Sequence, residues 1–309
     1  MQVIMIMGAP ASGKSTLANI KSIGCVHLNR DAVGGKVIDL LPKFASALRD
    51  GKDVVIDNVF ATAISRKPFL DTAMKFGAYV VGKLMATSIE DAQINALQRM
   101  YRKYGRIYHT AAEMKGIDDP GVFPVAVLFK YRKDLQKPVI SEGFDELETV
   151  RFLRQYPTGY VNKAVIFDYD GTLRESTGEH PYPTNTGEIN IVPGRKEQIQ
   201  RLVADGYLIL GASNQSGIAK GILSDETARE CFEATNSELG YAVKYAYCPH
   251  SVPPISCYCR KPGCAIGVGF IEKYRLDPSK CIVVGDQTTD KTFAGRLGMK
   301  FEFADRFKL

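Results

Sequence analysis

The sequence lacks any long uninterrupted apolar run. Stretches such as VIMIMG and AVLFKY fall far short of the roughly 20 residues that a membrane-spanning helix needs, so no membrane partner is expected. It lacks a basic stretch followed by a cleavable apolar segment at its start, and it has no low-complexity tract. Nor does it have the even cysteine count of a disulfide framework. Cys25, Cys231, Cys248, Cys257, Cys259, Cys264 and Cys281 make seven, and five of them fall between 248 and 281. In a reducing compartment, clustered cysteines more often hold metal than each other. These absences predict a soluble, cytoplasmic protein. The second half of the chain also lacks net charge. Residues 1–160 hold 22 Lys+Arg against 16 Asp+Glu, whereas residues 161–309 hold 18 of each, so the formal charge of +6 sits in the first half. Two readings stay open for that excess: a solvated surface without meaning, or a surface that meets a polyanion. A length of 309 residues suits two domains better than one.

What the sequence does carry is motif. VIMIMG runs into GAPASGKST, Gly8 to Thr16, and then into KSTLANI, which has helical composition. This strand–turn–helix context fills the pattern G-x-x-x-x-G-K-[ST] with Gly8, Gly13, Lys14 and Ser15. The glycines let backbone N–H groups wrap phosphates, and the helix N-terminus adds its positive dipole end. Lys14 would reach the β- and γ-phosphates and Ser15 would meet Mg²⁺, with Thr16 completing the nucleotide-binding set. CVHLN is a second apolar strand that runs into Arg30 and Asp31. A carboxylate there can accept a hydroxyl proton, and it can equally cap the helical pattern that follows. DVVIDN ends in Asp57 and Asn58, where Asp57 either assists Mg²⁺ or water or caps the next segment.

QINALQRMYRKYGRIYH continues a helix from about Ile89 and interleaves Arg99, Arg102, Lys103 and Arg106 with Tyr101, Tyr104 and Tyr108. On a helix such charges can simply be solvated. In a P-loop phosphotransferase the same segment lies where a lid closes on the donor. Its arginines would then meet the transferring phosphoryl group, and its tyrosines would offer surfaces for base stacking.

Taken in order, GAPASGKST, HLNRD, GKDVVIDN with SRKPFL after it, and ISEGFDEL resemble animal polynucleotide kinase/3′-phosphatases across nearly all of residues 1–153. The resemblance implies that Lys14 and Ser15 bind ATP and Mg²⁺. It implies Asp31 as general base on the 5′-hydroxyl of DNA or RNA, and Arg99 and Arg102 as lid arginines. Where phage relatives carry an arginine three residues past the base, Gly34 stands here.

YPTGYVN, Tyr156 to Asn162, is polar and carries Pro and Gly, and it divides the chain into domains at 1–156 and 162–309. KAVIFDYDGT then sets Asp168 and Asp170 two apart on a strand, hence on one face. One carboxylate can attack phosphorus while the other protonates the leaving oxygen, although a lone D-x-D also serves as a metal-binding or capping pair. YLILGASNQSGI ends in Ser213, Asn214 and Gln215, donors suited to a phosphate. Lys261 supplies positive charge, and CIVVGDQTTD brings Asp286 and Asp290, hard oxygen ligands of the kind Mg²⁺ prefers. These four motifs in this order resemble haloacid-dehalogenase-type phosphohydrolases over residues 163–305. The resemblance makes Asp168 the nucleophile and Asp170 the general acid and base. It makes Asp168, Asp286 and the Asp170 backbone carbonyl the Mg²⁺ ligands.

Between the third and fourth motifs, CPHSVPPISCYCRKPGC offers Cys248, His250, Cys257 and Cys259. Three thiolates and one imidazole suit a closed, structural tetrahedral Zn²⁺; buried free thiols are the bland alternative. Similar clasps occur in the histidinol-phosphate and heptose-bisphosphate phosphatases of the same superfamily. Cys264 reads as the start of a helix, and Cys25, Cys231 and Cys281 as small buried hydrophobes.

The alternation of apolar strands and helical segments predicts an α/β protein. It would comprise two doubly wound parallel-sheet domains, a P-loop kinase fold and then a haloacid-dehalogenase (Rossmann-like) fold. The expectation is a bifunctional enzyme that phosphorylates 5′-hydroxyl ends and removes 3′-phosphates from nucleic acid, using ATP, Mg²⁺ and structural Zn²⁺. A small-molecule kinase fused to a sugar- or histidinol-phosphate phosphatase is the competing reading. Assembly as a homo-oligomer is left open.

Overall fold

A computed structural model describes residues 1–251 and 257–307. The chain folds into two compact units, one comprising Met1–Ala96 and Ile117–Arg154, the other Leu97–Gly116 and Gln155–Leu309. Each is an α/β unit on a five-stranded, all-parallel sheet.

In the first unit the strands are β1 (Gln2–Met7), β2 (Val26–Asn29), β3 (Val54–Asn58), β4 (Tyr79–Met85) and β5 (Glu146–Val150), in the order β2-β3-β1-β4-β5. The helices α1 (Lys14–Lys21), α2 (Arg30–Val33), α3 (Leu41–Arg49), α4 (Ala63–Lys75), α5 (Ile89–Tyr104) and α6 (Ala126–Asp134) connect them, α5 running on into the second unit. β1 lies in the middle because it is apolar on both faces: Val3, Met5, Ile6 and Met7 are all buried, as a strand covered on both sides requires. From β1 the chain goes first to β2 and β3 on one side and then to β4 and β5 on the other. The crevice where the direction reverses lies at the carboxyl end of β1, where open α/β sheets bind ligands. GAPASGKST follows there.

The second unit repeats the logic. Its main strands are β6 (Ala164–Phe167), β9 (Leu208–Asn214), β10 (Lys244–Cys248), β11 (Ile282–Gly285) and β12 (Lys300–Phe303), in the order β10-β9-β6-β11-β12. A small antiparallel pair, β7 (Arg174–Ser176) and β8 (Ile189–Ile191), follows β6. Helices α7 (Arg195–Ala204), α8 (Ser216–Ala219), α9 (Asp225–Leu239), α10 (Ala265–Tyr274) and α11 (Thr288–Leu297) complete it. All four residues of β6 are fully buried, and the chain again turns first to one side and then to the other. The Asp168–Asp170 loop leaves from this second reversal point. It is pinned by Tyr169, whose ring packs edge-on to Phe232 at 4.5 Å and whose hydroxyl donates to Asn236 Oδ1 at 3.0 Å.

The first unit ends at Arg154 but is not continuous up to there. Residues 97–116, within the expected 1–156 domain, pack with the second unit. The cause is Glu272, a buried carboxylate that must find donors. Gln98 Nε2 donates to it at 2.9 Å, Arg102 grips it with Nε and Nη2 at 2.9 and 2.8 Å, and Tyr160 adds its hydroxyl at 2.6 Å. The backbone N–H of Tyr258 also donates to the His109 carbonyl at 3.0 Å. Among the described residues no helix is long and apolar enough to cross a membrane.

Gly211 on β9 leaves the space that the Tyr169 ring fills: a Cβ built there would lie 2.3 Å from Tyr169 Cε2. Gly211→Val is therefore expected to destabilise the second unit by roughly 1–3 kcal/mol through overpacking. Thermal melts check this, and an unchanged Tm would show that the ring has room to move.

Candidate active sites

At the first reversal point the P-loop is shaped by its glycines. Gly13 adopts φ +91° just before α1, and a Cβ on Gly8 would lie 2.8 Å from both Met85 Cβ and Ser12 Oγ. The loop is braced from behind. Thr87 Oγ1 donates to the Ser12 carbonyl at 2.8 Å, and Asn95 Nδ2 donates to that of Ala11 at 2.9 Å. The Lys14 ammonium curls over the loop, donating to the carbonyls of Gly8 and Ala9 at 3.0 and 2.7 Å. Ser15 Oγ donates to Asp57 Oδ2 at 3.1 Å, and Thr16 follows it, exposed, on α1.

Asp57 is the hub of this site rather than a cap. It is almost fully buried, accepts from Asn29 Nδ2 at 2.8 Å and is bonded to His27 Nε2 at 2.6 Å. A buried carboxylate beside the P-loop serine fits a Mg²⁺ held with the nucleotide phosphates. β2 stops at Asn29, the last residue of CVHLN, and Asp31 lies in the four-residue α2 that follows. Its backbone N–H donates to Asn29 Oδ1 at 2.7 Å, and its half-exposed carboxylate pairs with Arg30 at 2.5 Å. Of the two expected lid arginines, Arg102 is committed to Glu272, and Arg99 belongs with it to the second unit.

At the second reversal point, three carboxylates converge on one lysine. Lys261 Nζ lies 3.0 Å from Asp168 Oδ1 and 2.7 Å from Asp290 Oδ1, and it donates to the Ala212 carbonyl at 2.6 Å. Asp168, Asp286 and Asp290 each bring a carboxylate oxygen to within 4.8 Å of the others. The backbone is cut to fit them. A Cβ on Gly171 (φ +76°) would lie 2.7 Å from Asp286 Oδ2, and one on Gly285 would lie 2.4 Å from Asp290 Oδ2. Burial pushes Asp168 up to about 7, against the pull of Lys261 and with the help of Asp290 and Asp170. Burial also raises Asp286. Burial alone would press the Lys261 ammonium toward neutrality, but Asp168 and Asp290 outweigh it and hold its pKa above the ordinary range. Three hard oxygen donors, in excess of the one buried cation, fit a Mg²⁺.

Asp170 has donors of its own. Arg174 Nε donates to one oxygen at 2.8 Å and Gln215 Nε2 to the other at 2.7 Å. Gln215 is itself tied to Ser213 Oγ at 2.9 Å. Asn214 holds the backbone of Lys261, donating to its carbonyl at 3.2 Å and accepting its N–H at 2.9 Å. The Asn214 amide expected to bind phosphate thus fixes the lysine instead.

Cys248, His250, Cys257 and Cys259 also come together. Cys248 Sγ lies 3.8 Å from Cys257 Sγ and 3.4 Å from His250 Nδ1, which lies 3.2 Å from Cys259 Sγ. A tetrahedron with Zn–S near 2.3 Å and Zn–N near 2.0 Å has edges of about 3.8 and 3.5 Å, so the four donors fit zinc through Nδ1. Cys264 N-caps α10; Cys231 and Cys281 are buried and Cys25 is half-buried. Residues 252–256 of the insert lie outside the described residues.

Two side chains escaped the sequence reading. His27 reads as one residue of an apolar strand, and only the fold brings it to Asp57. Arg174 is almost fully buried, with Nη1 on the Cys231 carbonyl at 2.7 Å and its guanidinium 4.9 Å from the Phe232 ring centroid. Its spacing of four from Asp170 was the one available signal.

A P-loop at one reversal point and a carboxylate–lysine cluster at the other define a phosphotransferase joined to a haloacid-dehalogenase-type phosphatase. Residues 163–307 match the family described as polynucleotide kinase 3 phosphatase. A probable D-glycero-D-manno-heptose-1,7-bisphosphate 7-phosphatase of Thermoplasma volcanium is 34% identical over 144 residues, 45% of this chain and 96% of the relative. A bifunctional polynucleotide phosphatase/kinase of Schizosaccharomyces pombe is 29% identical over 153 residues, 49% of this chain and 34% of the relative. A solved structure of the Pnkp1/Rnl/Hen1 RNA repair complex aligns with 98% of this chain and 95% of its own, at 17% identity and a TM-score of 0.35. The second unit is thus similar to the polynucleotide kinase 3 phosphatase family and to phosphatases of heptose bisphosphates, and the chain is similar to a bifunctional polynucleotide phosphatase/kinase over about half its length.

The raised Asp168 gives a pH prediction for the metal-free protein. Its proton binds more tightly in the folded state than in the unfolded one. Ionised Asp168 therefore costs stability above about pH 7, and the cost fades as pH falls toward the ordinary carboxylate range. In magnesium-free buffer, Asp168→Asn is expected to melt several degrees above the wild type at pH 8, with the gap closing toward pH 5. A gap that does not depend on pH would overturn the assignment.

Proposed function

We propose that this protein heals nucleic-acid ends: its first unit moves the γ-phosphoryl group of ATP to a 5′-hydroxyl, and its second removes a 3′-phosphate. The observation that carries the reading is the Asp168–Lys261–Asp290 cluster in a unit similar to the polynucleotide kinase 3 phosphatase family. The formal excess of +6 lies within residues 1–160, +2 of it in the P-loop unit and +4 in the 97–116 segment.

In the kinase reaction Lys14 faces the β- and γ-phosphates, and Ser15 and Asp57 would hold Mg²⁺ on the nucleotide. Asp31 takes the proton of the 5′-hydroxyl as its oxygen attacks the γ-phosphorus and ADP leaves. In the phosphatase reaction an Asp168 oxygen attacks the phosphorus of the 3′-ester while Asp170 gives its proton to the departing 3′-oxygen. Asp170 then takes a proton from water, whose oxygen attacks the aspartyl phosphate and releases inorganic phosphate. Asp168, Asp286, Asp290 and the Asp170 backbone carbonyl would hold Mg²⁺, which screens the phosphate dianion from the carboxylate that attacks it. Lys261 places fixed positive charge against the same oxygens, and Arg174 and Gln215 hold Asp170 in line.

A second reading has its own support. The cysteine–histidine cluster and the heptose-bisphosphate 7-phosphatase relatives of this unit favour a small phosphate ester. The two readings part on salt: strand binding weakens steeply with ionic strength through counterion release, whereas a small ester responds weakly.

The test is transfer of labelled phosphate to 5′-hydroxyl oligonucleotides and its release from 3′-phosphorylated ones, in DNA and RNA. Asp31→Ala is expected to lower transfer about 10²–10⁴-fold with 3′-phosphate release intact, and Asp168→Ala the reverse. Turnover of a heptose bisphosphate, with none of a 3′-phosphorylated strand, would overturn the phosphatase claim. For the zinc claim, metal analysis is expected to find one zinc per chain, lost in Cys257→Ser. The same change should lower Tm and slow 3′-phosphate release, because Lys261 stands two residues after Cys259. Full activity without zinc would overturn it.

A further inference from the structure

Away from the Asp168 cluster, the second unit holds a cavity of about 470 Å³, within the usual range for a small-molecule site. It runs along β10, an edge strand of the sheet, and is walled by residues of α9, α10 and the 97–116 segment. Small residues hollow it out: a Cβ on Gly269 would meet only Ile107 Cδ1, at 3.9 Å. The rings of Tyr101, Tyr247, Phe270 and Tyr274 supply aromatic wall. Tyr247 is held in place, its hydroxyl bonded to Asp225 at 2.6 Å and its ring stacked on Phe232.

The polar groups of the cavity are the telling ones. Lys244 and Lys273 are exposed and form no ion pair among the described residues, while the acidic wall residue Glu233 is occupied by the Tyr245 hydroxyl at 2.8 Å. His109 Nδ1 is buried with no hydrogen-bond partner among the described residues, a deficit that native structures seldom leave unexplained. An aromatic wall, two ammonium groups free of carboxylate partners among the described residues (that of Lys273 5.3 Å from the Tyr274 ring centroid) and one unsatisfied ring nitrogen are complementary to a flat heteroaromatic anion.

We propose that this cavity is a second nucleotide-binding site. A base stacks on its aromatic wall with a polar edge toward His109 Nδ1, and the attached phosphate faces Lys244 and Lys273. The proposal goes beyond the end-healing reading, because it holds whether the nucleotide is free or part of a strand.

The experiment uses the full chain with Lys14→Ala, which disables the P-loop, in magnesium-free buffer so that no ester turns over. Two probes are titrated: adenosine monophosphate, and a fluorescent oligothymidylate with hydroxyls at both ends. Gly269→Trp fills the cavity, and the paired change Lys244→Glu and Lys273→Glu reverses its charge at exposed positions that tolerate it. Both are expected to weaken at least one probe tenfold or more. Tm and magnesium-dependent hydrolysis of p-nitrophenyl phosphate should be retained, showing that the fold and the Asp168 site are intact. An effect confined to the monophosphate identifies a free nucleotide as the occupant, and one confined to the oligonucleotide identifies a strand. Unchanged affinity for both probes in both variants would overturn the proposal. Failure of the end-healing reading would appear instead as absent turnover at phosphorylated ends, with this binding unaffected.

Discussion

The second unit is organised around a buried ammonium. Lys261 is 3% exposed and sits between Asp168 and Asp290, with Asp286 close by. Removing Lys261, Asp168 and Asp290 from water costs several kcal/mol each, and one lysine cannot neutralise both buried carboxylates with the exposed Asp286 beside them. The imbalance resolves in one of two ways. Either Asp168 keeps a proton, which is why burial raises it toward neutrality, or a divalent cation enters and leaves it ionised. In the proposed reaction a carboxylate kept unprotonated by a cation would be a competent nucleophile, and the lysine already in place would meet the phosphate. The surroundings serve this arrangement more than stability: Asn214 clamps the Lys261 backbone, and two glycines make room for Asp286 and Asp290.

Both units solve the placement problem in the same way. A parallel sheet that grows first to one side of its central strand and then to the other opens a crevice at that strand's carboxyl end. In the first unit β1 feeds the P-loop into the crevice, and in the second β6 feeds in the Asp168–Asp170 loop. The chemistries differ because the loops differ. In the proposed reaction the Gly8–Gly13 backbone would wrap phosphates with N–H groups beside Lys14, whereas a short loop pinned by Tyr169 presents carboxylates. Neither site needs a special scaffold, only a strand buried on both faces and a reversal of direction beside it.

What the sequence made legible follows from how local each signal is. The P-loop glycines, the two strand-end aspartates and the Cys-x-His and Cys-x-Cys pairs are short-range patterns whose spacing already implies geometry. The parallel sheets followed from apolar strands alternating with helical stretches. Partners far apart in the sequence were not legible. Asp57 sits 42 residues from Ser15 and 30 from His27, and nothing local says that they meet. The basic face of α5 illustrates the same limit. Charge and tyrosine spacing suited a lid, yet Arg102 is spent on Glu272, 170 residues away. A helix face shows which residues share a side and not what lies opposite.

The chemistry of the second unit also limits where its selectivity can come from. The kinase product in the proposed reaction is itself a phosphomonoester at a 5′ end, chemically close to the 3′-ester that the phosphatase should cleave. Asp168, Lys261 and the carboxylates around them touch only the phosphoryl group, which is the same in both. Asp170 meets the leaving oxygen, and a primary and a secondary alkoxide differ too little in basicity for one buried acid to separate them. If the two activities are not to consume ATP in a cycle, discrimination must act on the sugar and the strand behind the phosphate, through differential binding rather than through the reacting groups. It must therefore come from residues of the second unit outside the cluster.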